Sequence, residues 1–171
     1  FCRLGEAVSA TGRIEGEPYK LALMTFQRFR AIAERLGIVN LAAFATAAVR
    51  EAENRDAFVA EAEEILGHEI RVLTGQEEAE YSADGVMLAI PGADGIVADL
   101  GGGSLELARV RDGVTEKWTT LPLGILALRE YSKNNRAEMS KIIEAALKNV
   151  RWLKSGKKRP LYIVGGTWRN L

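Results

Sequence analysis

Apolar positions along the chain switch between helical and extended spacing. Pro18 stands where a helix can begin, and Leu21, Leu23, Met24, Phe26, Phe29, Ile32, Ala33 and Leu36 then recur at helical intervals until Gly37 stops them. This pattern predicts an amphipathic helix packed on a sheet. Ile38 to Ala45 reads as a buried strand, Thr46 as the cap of a short helix, and Asp56 as the opening of a second helix that runs through Leu66. Glu69 to Leu73 predicts another strand, and Gln76 to Leu88 another helix. The segment Pro91-Gly92-Ala93-Asp94-Gly95 is the clearest interruption, so a domain boundary is expected beside it, with one unit over 1–90 and the next over 91–171.

Past that interruption, Ile96–Leu100, Leu105–Arg111 and Thr115–Leu121 predict a three-stranded meander, with Asp112-Gly113 as the hairpin signal. Helices at Leu123–Tyr131 and Ala137–Leu153 follow, and then a strand at Leu161–Val164. Three antiparallel strands followed by helix and strand is the ribonuclease-H-like order. The expected fold class is therefore α/β, with mixed sheets flanked by helices in two partial domains.

Composition narrows the functional classes. Lys+Arg and Asp+Glu balance at 23 each, so no global field recruits nucleic acid or an acidic membrane surface, and a polyanion would have to meet a local patch. With neither a spanning apolar stretch nor a basic-then-apolar leader, a cytoplasmic protein is expected. A single cysteine, Cys2, excludes an internal disulfide.

The most chemically pointed segment is Ile96-Val97-Ala98-Asp99-Leu100-Gly101-Gly102-Gly103-Ser104-Leu105-Glu106-Leu107, in which an apolar strand delivers an acid and three glycines to one turn. Glycines let backbone N–H groups converge on an anion, Ser104 adds a hydroxyl donor, and Asp99 and Glu106 suit a hard cation. The plainer reading is a glycine-rich hairpin carrying two solvated acids, with Glu106 facing outward between two leucines.

This Asp-x-Gly-Gly-Gly-Ser-x-Glu-Leu run resembles the second phosphate loop of the exopolyphosphatase / guanosine pentaphosphate phosphohydrolase family, a branch of the actin-like ATPase superfamily. Three further segments agree with it in order. Thr46 to Asn54 resembles the family's Thr-x-x-x-Arg-x-Ala-x-Asn element, Leu73-Thr74-Gly75-Gln76-Glu77-Glu78-Ala79 its Ser-Gly-x-Glu-Glu-Ala element, and Val164-Gly165-Gly166-Thr167 its later Gly-Gly-Thr turn. The family's first phosphate loop, Asp-x-Gly-Ser-Asn-Ser, has no counterpart in these residues, so the chain reads as a middle segment of such a protein.

The resemblance implies Mg2+-dependent hydrolysis of the terminal phosphoanhydride of inorganic polyphosphate, or the same chemistry on guanosine pentaphosphate. Gly101, Gly102, Gly103, Ser104, Gly165, Gly166 and Thr167 would then meet phosphate, and Asp99 and Glu106 would hold the metal. A nucleotide-gated binding module, a sugar kinase, or a non-catalytic fragment that dimerises to cover its sheet edges are the competing expectations.

Within this scheme, Thr74 and Glu77 have the spacing of a capping box, which gives Glu77 a structural task. Glu78, about 100° further round the helix, is left as the general base that orients water, and the family's catalytic glutamate falls on it; otherwise it is a first-turn acid on the helix dipole. Arg50 lies one turn after Thr46 and suits bidentate phosphate binding, the family's phosphate-contacting arginine aligning with it; its alternative is pairing with Glu53 or Asn54. His68 reads as a cap at a helix end, Glu61, Glu63 and Glu64 as a solvated face, and Arg151, Lys154, Lys157, Lys158 and Arg159 as a solvated helix end before a polyanion site.

Overall fold

The computed structural model describes residues 2–170, which divide into two compact units that meet at Leu73/Thr74. In the first, α1 (Leu4–Thr11) and α2 (Gly16–Arg35) precede β1 (Ala43–Ala45), the single turn α3 (Ala47–Arg50), α4 (Arg55–Leu66) and β2 (Ile70–Val72). β1 and β2 run parallel, with Phe44 opposite Arg71. Ile14, Ala22, Val49, Ala52 and Phe58 form the core, and Tyr19 meets Phe58 edge-on at 5.4 Å between ring centroids.

Several expectations are corrected here. Ahead of Pro18, where the sequence pattern placed no element, lies α1, which Gly12 ends in the left-handed conformation at φ 74°. α2 packs chiefly on α4, with Leu23 and Phe26 against the buried cluster of Ala62, Leu66 and Ile70, and leaves Phe29 and Ile32 more than half exposed. The strand expected over 38–45 contracts to its last three residues, because Ile38 and Val39 lie exposed ahead of it. Asn54 works structurally: its Oδ1 accepts from Ile14 N at 2.9 Å and its Nδ2 donates to Ile14 O at 2.8 Å. Nor are the α4 acids merely solvated, since Glu63 Oε1 accepts from Ile70 N at 2.7 Å and Glu61 accepts from the Tyr19 hydroxyl.

The second unit opens with α5 (Gly75–Ala89), followed by β3 (Gly95–Leu100), β4 (Leu105–Arg111), β5 (Val114–Leu121), α6 (Ile125–Tyr131), α7 (Arg136–Asn149) and β6 (Leu161–Val164). The sheet order is β5-β4-β3-β6, antiparallel except for β6 beside β3, as the strand order along the chain implied. Asp112 and Gly113 have φ of 50° and 76°, the two positive values that a tight type I′ hairpin requires. α7 stops at Asn149, four residues short of expectation, and a 3-10 segment, Arg151–Gly156, leads on towards β6. Among the described residues, no helix is long and apolar enough to cross a membrane.

Alternation along the strands gives this sheet two faces. Ile96, Ala98, Leu100, Leu105 and Leu107 pack with Leu123, Leu128, Ile142 and Ile143 from the α6–α7 side. Val97, Ala108 and Val110 pack with Ala83, Val86 and Met87 of α5. Because α5 lays its small residues Ala79 and Ala83 on this second sheet, the division between compact units falls before α5, ahead of the Pro91–Gly95 break.

At the far end of the β3–β4 hairpin a buried cation is paired. Arg109, whose side chain is 4% exposed, donates through Nη2 to Asp94 Oδ1 at 2.6 Å and through Nη1 to Gly95 O at 3.0 Å. The Arg109 hydrogen bond, with Arg159 assisting, holds the Asp94 carboxyl below its usual range. Removing the acid strands a buried guanidinium. Asp94→Ala is therefore expected to shift the urea unfolding midpoint of this unit clearly downward, and adding Arg109→Met to that variant to recover most of the loss.

Candidate functional site

The glycine turn, Gly101 to Ser104, is held by the start of α6. Its carbonyls accept from that helix's free N-terminal amides: Gly101 O from Ile125 N at 3.2 Å, Gly102 O from Leu126 N at 2.9 Å, and Gly103 O from Gly124 N at 3.2 Å. Among the described residues, the Gly102 and Gly103 N–H groups have no backbone acceptor, which leaves them available to an anion. The approach is so close that a Cβ on Gly124 would stand 2.3 Å from Gly102 O. Ser104 Oγ is buried and makes no well-formed hydrogen bond, although it lies near enough to Glu106 to favour that carboxylate.

Below the turn, Asp99 and Glu106 face one another as register partners on β3 and β4. Strand alternation puts both on the α5 side of the sheet. Glu106 is 2% exposed, so the outward-facing, solvated alternative for it does not hold. Thr120, its register partner on β5, donates to Glu106 Oε1 at 2.8 Å, and Ser82 of α5 donates to Asp99 Oδ2 at 2.6 Å.

α5 starts with the capping box expected from its spacing. Thr74 N donates to Glu77 Oε2 at 2.8 Å, and Glu77 N to Thr74 Oγ1 at 3.2 Å. Glu77 is thereby tied to the helix start while Glu78, half-buried, acts electrostatically on Glu106. Gly75 permits this approach, since a Cβ there would lie 2.6 Å from Thr120 Cγ2.

Burial is the main cause that pushes the Glu106 carboxyl up to about 7; the charges of Glu78 and Asp99 push the same way, while Ser104 and Thr120 oppose them. Buried Glu106 and half-buried Asp99 side by side suit a divalent cation, because charge that burial keeps from water can be shared with an ion. Mg2+ characteristically takes only one or two protein carboxylates and completes its shell with water and phosphate oxygens. Asp99 and Glu106 fit that demand, although among the described residues no group of three or more His, Cys, Asp or Glu has metal-binding geometry.

The second glycine turn lies beside the first. β6 runs parallel to β3 with Val164 opposite Asp99, and Gly165, at φ 92°, would place a Cβ 3.0 Å from Asp99 Oδ1. Both turns thus sit at the carboxyl ends of adjacent parallel strands, where α/β sheets characteristically take ligands. Gly166 has open space on its Cβ side, and Thr167 begins a short 3-10 turn in which Trp168 Nε1 donates to Ala98 O.

Arg50 belongs to the first unit. α3 is a single turn, and Thr46 occupies its N-cap position without a side-chain bond. Arg50 Nη1 donates to Leu73 O at 2.8 Å. Of the basic cluster, Arg159 pairs with Asp94, and the cluster precedes β6, at the opposite end of the sheet from the glycine turns. Gly75 entered the sequence reading only as part of the Leu73–Ala79 element, and Ser82 and Thr120 did not enter it; Ser82 had a usable signal in its place four residues after Glu78, on the same helical face.

The raised Glu106 carboxyl has a definite pH consequence. Folded Glu106 binds its proton more tightly than the ordinary value of 4.5 allows, so its contribution favours folding at low pH and is lost as pH rises through about 7. Without divalent cations, stability of the second unit is expected to fall by up to about 3 kcal/mol between these limits. Glu106→Gln should flatten that part of the profile in urea unfolding at a series of pH values.

The Ppx/GppA phosphatase family model matches residues 1–170. Exopolyphosphatase 1 of Mycobacterium tuberculosis is 34% identical over 124 residues, which are 71% of this chain and 36% of that protein. Exopolyphosphatase 2 of the same organism is 39% identical over 117 residues, 61% of this chain and 35% of its own length. Among solved structures, an exopolyphosphatase-like protein superposes with a TM-score of 0.78 at 30% identity, covering 97% of this chain and 56% of that one. An exopolyphosphatase from Cytophaga hutchinsonii shares the fold at a TM-score of 0.85 and 24% identity, covering 94% of this chain and 55% of its own. The chain spans little more than a third of the curated relatives it matches, and with matching order, fold and residues it belongs to the Ppx/GppA phosphatase family.

Proposed function

We propose that this chain contributes to a phosphoanhydride hydrolase that removes the terminal phosphate of inorganic polyphosphate with Mg2+. The observation that carries the reading is the opposed pair Asp99 and Glu106 directly beneath a glycine turn, with the charge of Glu78 felt at Glu106. Hydrolysis needs an oriented water, donors for the equatorial oxygens, and a cation against the negative charge. In this reading Glu78 takes a proton from water as the water oxygen attacks the terminal phosphorus. The bridging P–O bond breaks, its electron pair leaves with the shortened chain, and inorganic phosphate is released.

The Gly102 and Gly103 amides and the Ser104 hydroxyl are the donors on this side, with Gly165, Gly166 and Thr167 as a second set. Asp99 and Glu106 would hold Mg2+, which supplies charge neutralisation at the phosphoryl oxygens. Arg50 adds a guanidinium for phosphate, the assignment its motif supports.

Phosphate release from long-chain polyphosphate is the direct test, with this chain and with a longer form carrying the relatives' flanking regions, and with guanosine pentaphosphate run in parallel. Glu78→Gln is expected to cut turnover by about a thousandfold while polyphosphate affinity stays within a few-fold. Arg50→Ala should weaken binding as well. Release from neither substrate in either form sinks the hydrolase reading in favour of a binding role.

A further inference from the structure

We propose that Ser82 and Thr120 are positioning residues which fix the carboxylates of Asp99 and Glu106 for a divalent cation. This rests on the cation-holding part of the reading above. Asp99 and Glu106 are direct partners on neighbouring strands, and like charges so placed repel and turn apart unless something holds them. Two hydroxyls from outside the hairpin do so. Ser82 Oγ donates to Asp99 Oδ2 at 2.6 Å, and Thr120 Oγ1 donates to Glu106 Oε1 at 2.8 Å.

Each bond engages one oxygen of its carboxylate, favours the ionised form and fixes the plane of the group. The other Asp99 oxygen, Oδ1, accepts no hydrogen bond among the described residues and lies beside Gly165 of the second glycine turn. That is the arrangement expected of a ligand held by a second layer of hydrogen bonds.

The choice of residues supports a directed role. A serine inside a helix usually turns its hydroxyl to solvent or to the carbonyl four residues earlier, whereas Ser82 turns to a neighbouring strand. Ser82 lies four residues after Glu78, so the two share one side of α5. One helix face thus carries both the hydroxyl that meets Asp99 and the acid whose charge is felt at Glu106. Thr120 is anchored independently by its place opposite Glu106 on β5 and by the first turn of α5, whose Gly75 packs against its methyl.

The test reads Mg2+ binding directly, without turnover. Urea unfolding of the 171-residue chain is followed by tryptophan fluorescence while MgCl2 is titrated, the metal-free midpoint serving as the control for folding. Ser82→Ala and Thr120→Val are each expected to raise the Mg2+ concentration for half-maximal stabilisation by about tenfold or more, and Thr120→Ser, which keeps the hydroxyl, to return it near the original value. Should Thr120→Val fail to fold, Ser82→Ala carries the test alone. Unchanged Mg2+ curves for these variants, alongside loss of response in Asp99→Asn and Glu106→Gln, overturn the positioning role and leave the cation reading standing. No response in the unsubstituted chain, or one that Asp99→Asn and Glu106→Gln leave intact, removes the cation reading and this proposal with it.

Discussion

The interlock between the Gly101–Ser104 turn and the start of α6 is the constraint from which the second unit's site follows. A helix N-terminus carries amides with no partner inside the helix, and a tight glycine turn carries carbonyls with none inside the strand pair; here each set answers the other. The exchange fixes where β3 ends and β4 begins, which in turn places Asp99 opposite Glu106. It also points the carbonyls of the turn towards α6, while the Gly102 and Gly103 amides have no backbone acceptor among the described residues. Gly124 is indispensable to the contact, because any side chain there would occupy the space of the turn's own backbone.

The hairpin treats charge oppositely at its two ends. Near Gly95 the buried guanidinium of Arg109 meets Asp94 and a backbone carbonyl, and the acid is held below its usual range. Near the glycine turn, acids crowd together with hydroxyls as their neighbours, and Glu106 is pushed up to about 7. A structural ion pair relaxes the first end. The second concentrates negative charge beside the glycine turn, with Ser82 and Thr120 as the hydroxyl partners of its acids.

The membership of the family and the geometry support each other through different residues. Gly75 and Glu77, both within the Thr74–Ala79 element, act here through packing and capping, and Asn54 clamps Ile14 in the first unit. Family motifs therefore mix chemistry with architecture. A glycine, a cap and an amide clamp are as necessary to the site's elements as the acids that the elements carry.

Local features were legible in the order of residues alone. The Thr74–Glu77 box and the Asp112-Gly113 turn depend on interactions within a few residues, and the strands Leu105–Arg111 and Leu161–Val164 and the glycine turns are marked by local residue type and alternation, so their signals lie in adjacent letters. The acids Asp99 and Glu106 and the two glycine turns stand out in the sequence for the same reason, and the structure places them side by side. What the letters left open was decided by long-range register. Both faces of β4 are buried, so alternation alone did not say on which side Glu106 lies, and only the packing of α5 does. The exposure of Ile38 and Val39, the turning of Ser82 to Asp99 across 17 residues, and the opposition of Thr120 to Glu106 likewise depend on neighbours distant in sequence. The amino-acid sequence by itself determined most of the elements, their order and the residue types they carry, while α1 and the true extents of β1 and α7 came from the structure; tertiary structure alone decided which side chains share a face, because contact between elements is set by sheet register and helix packing.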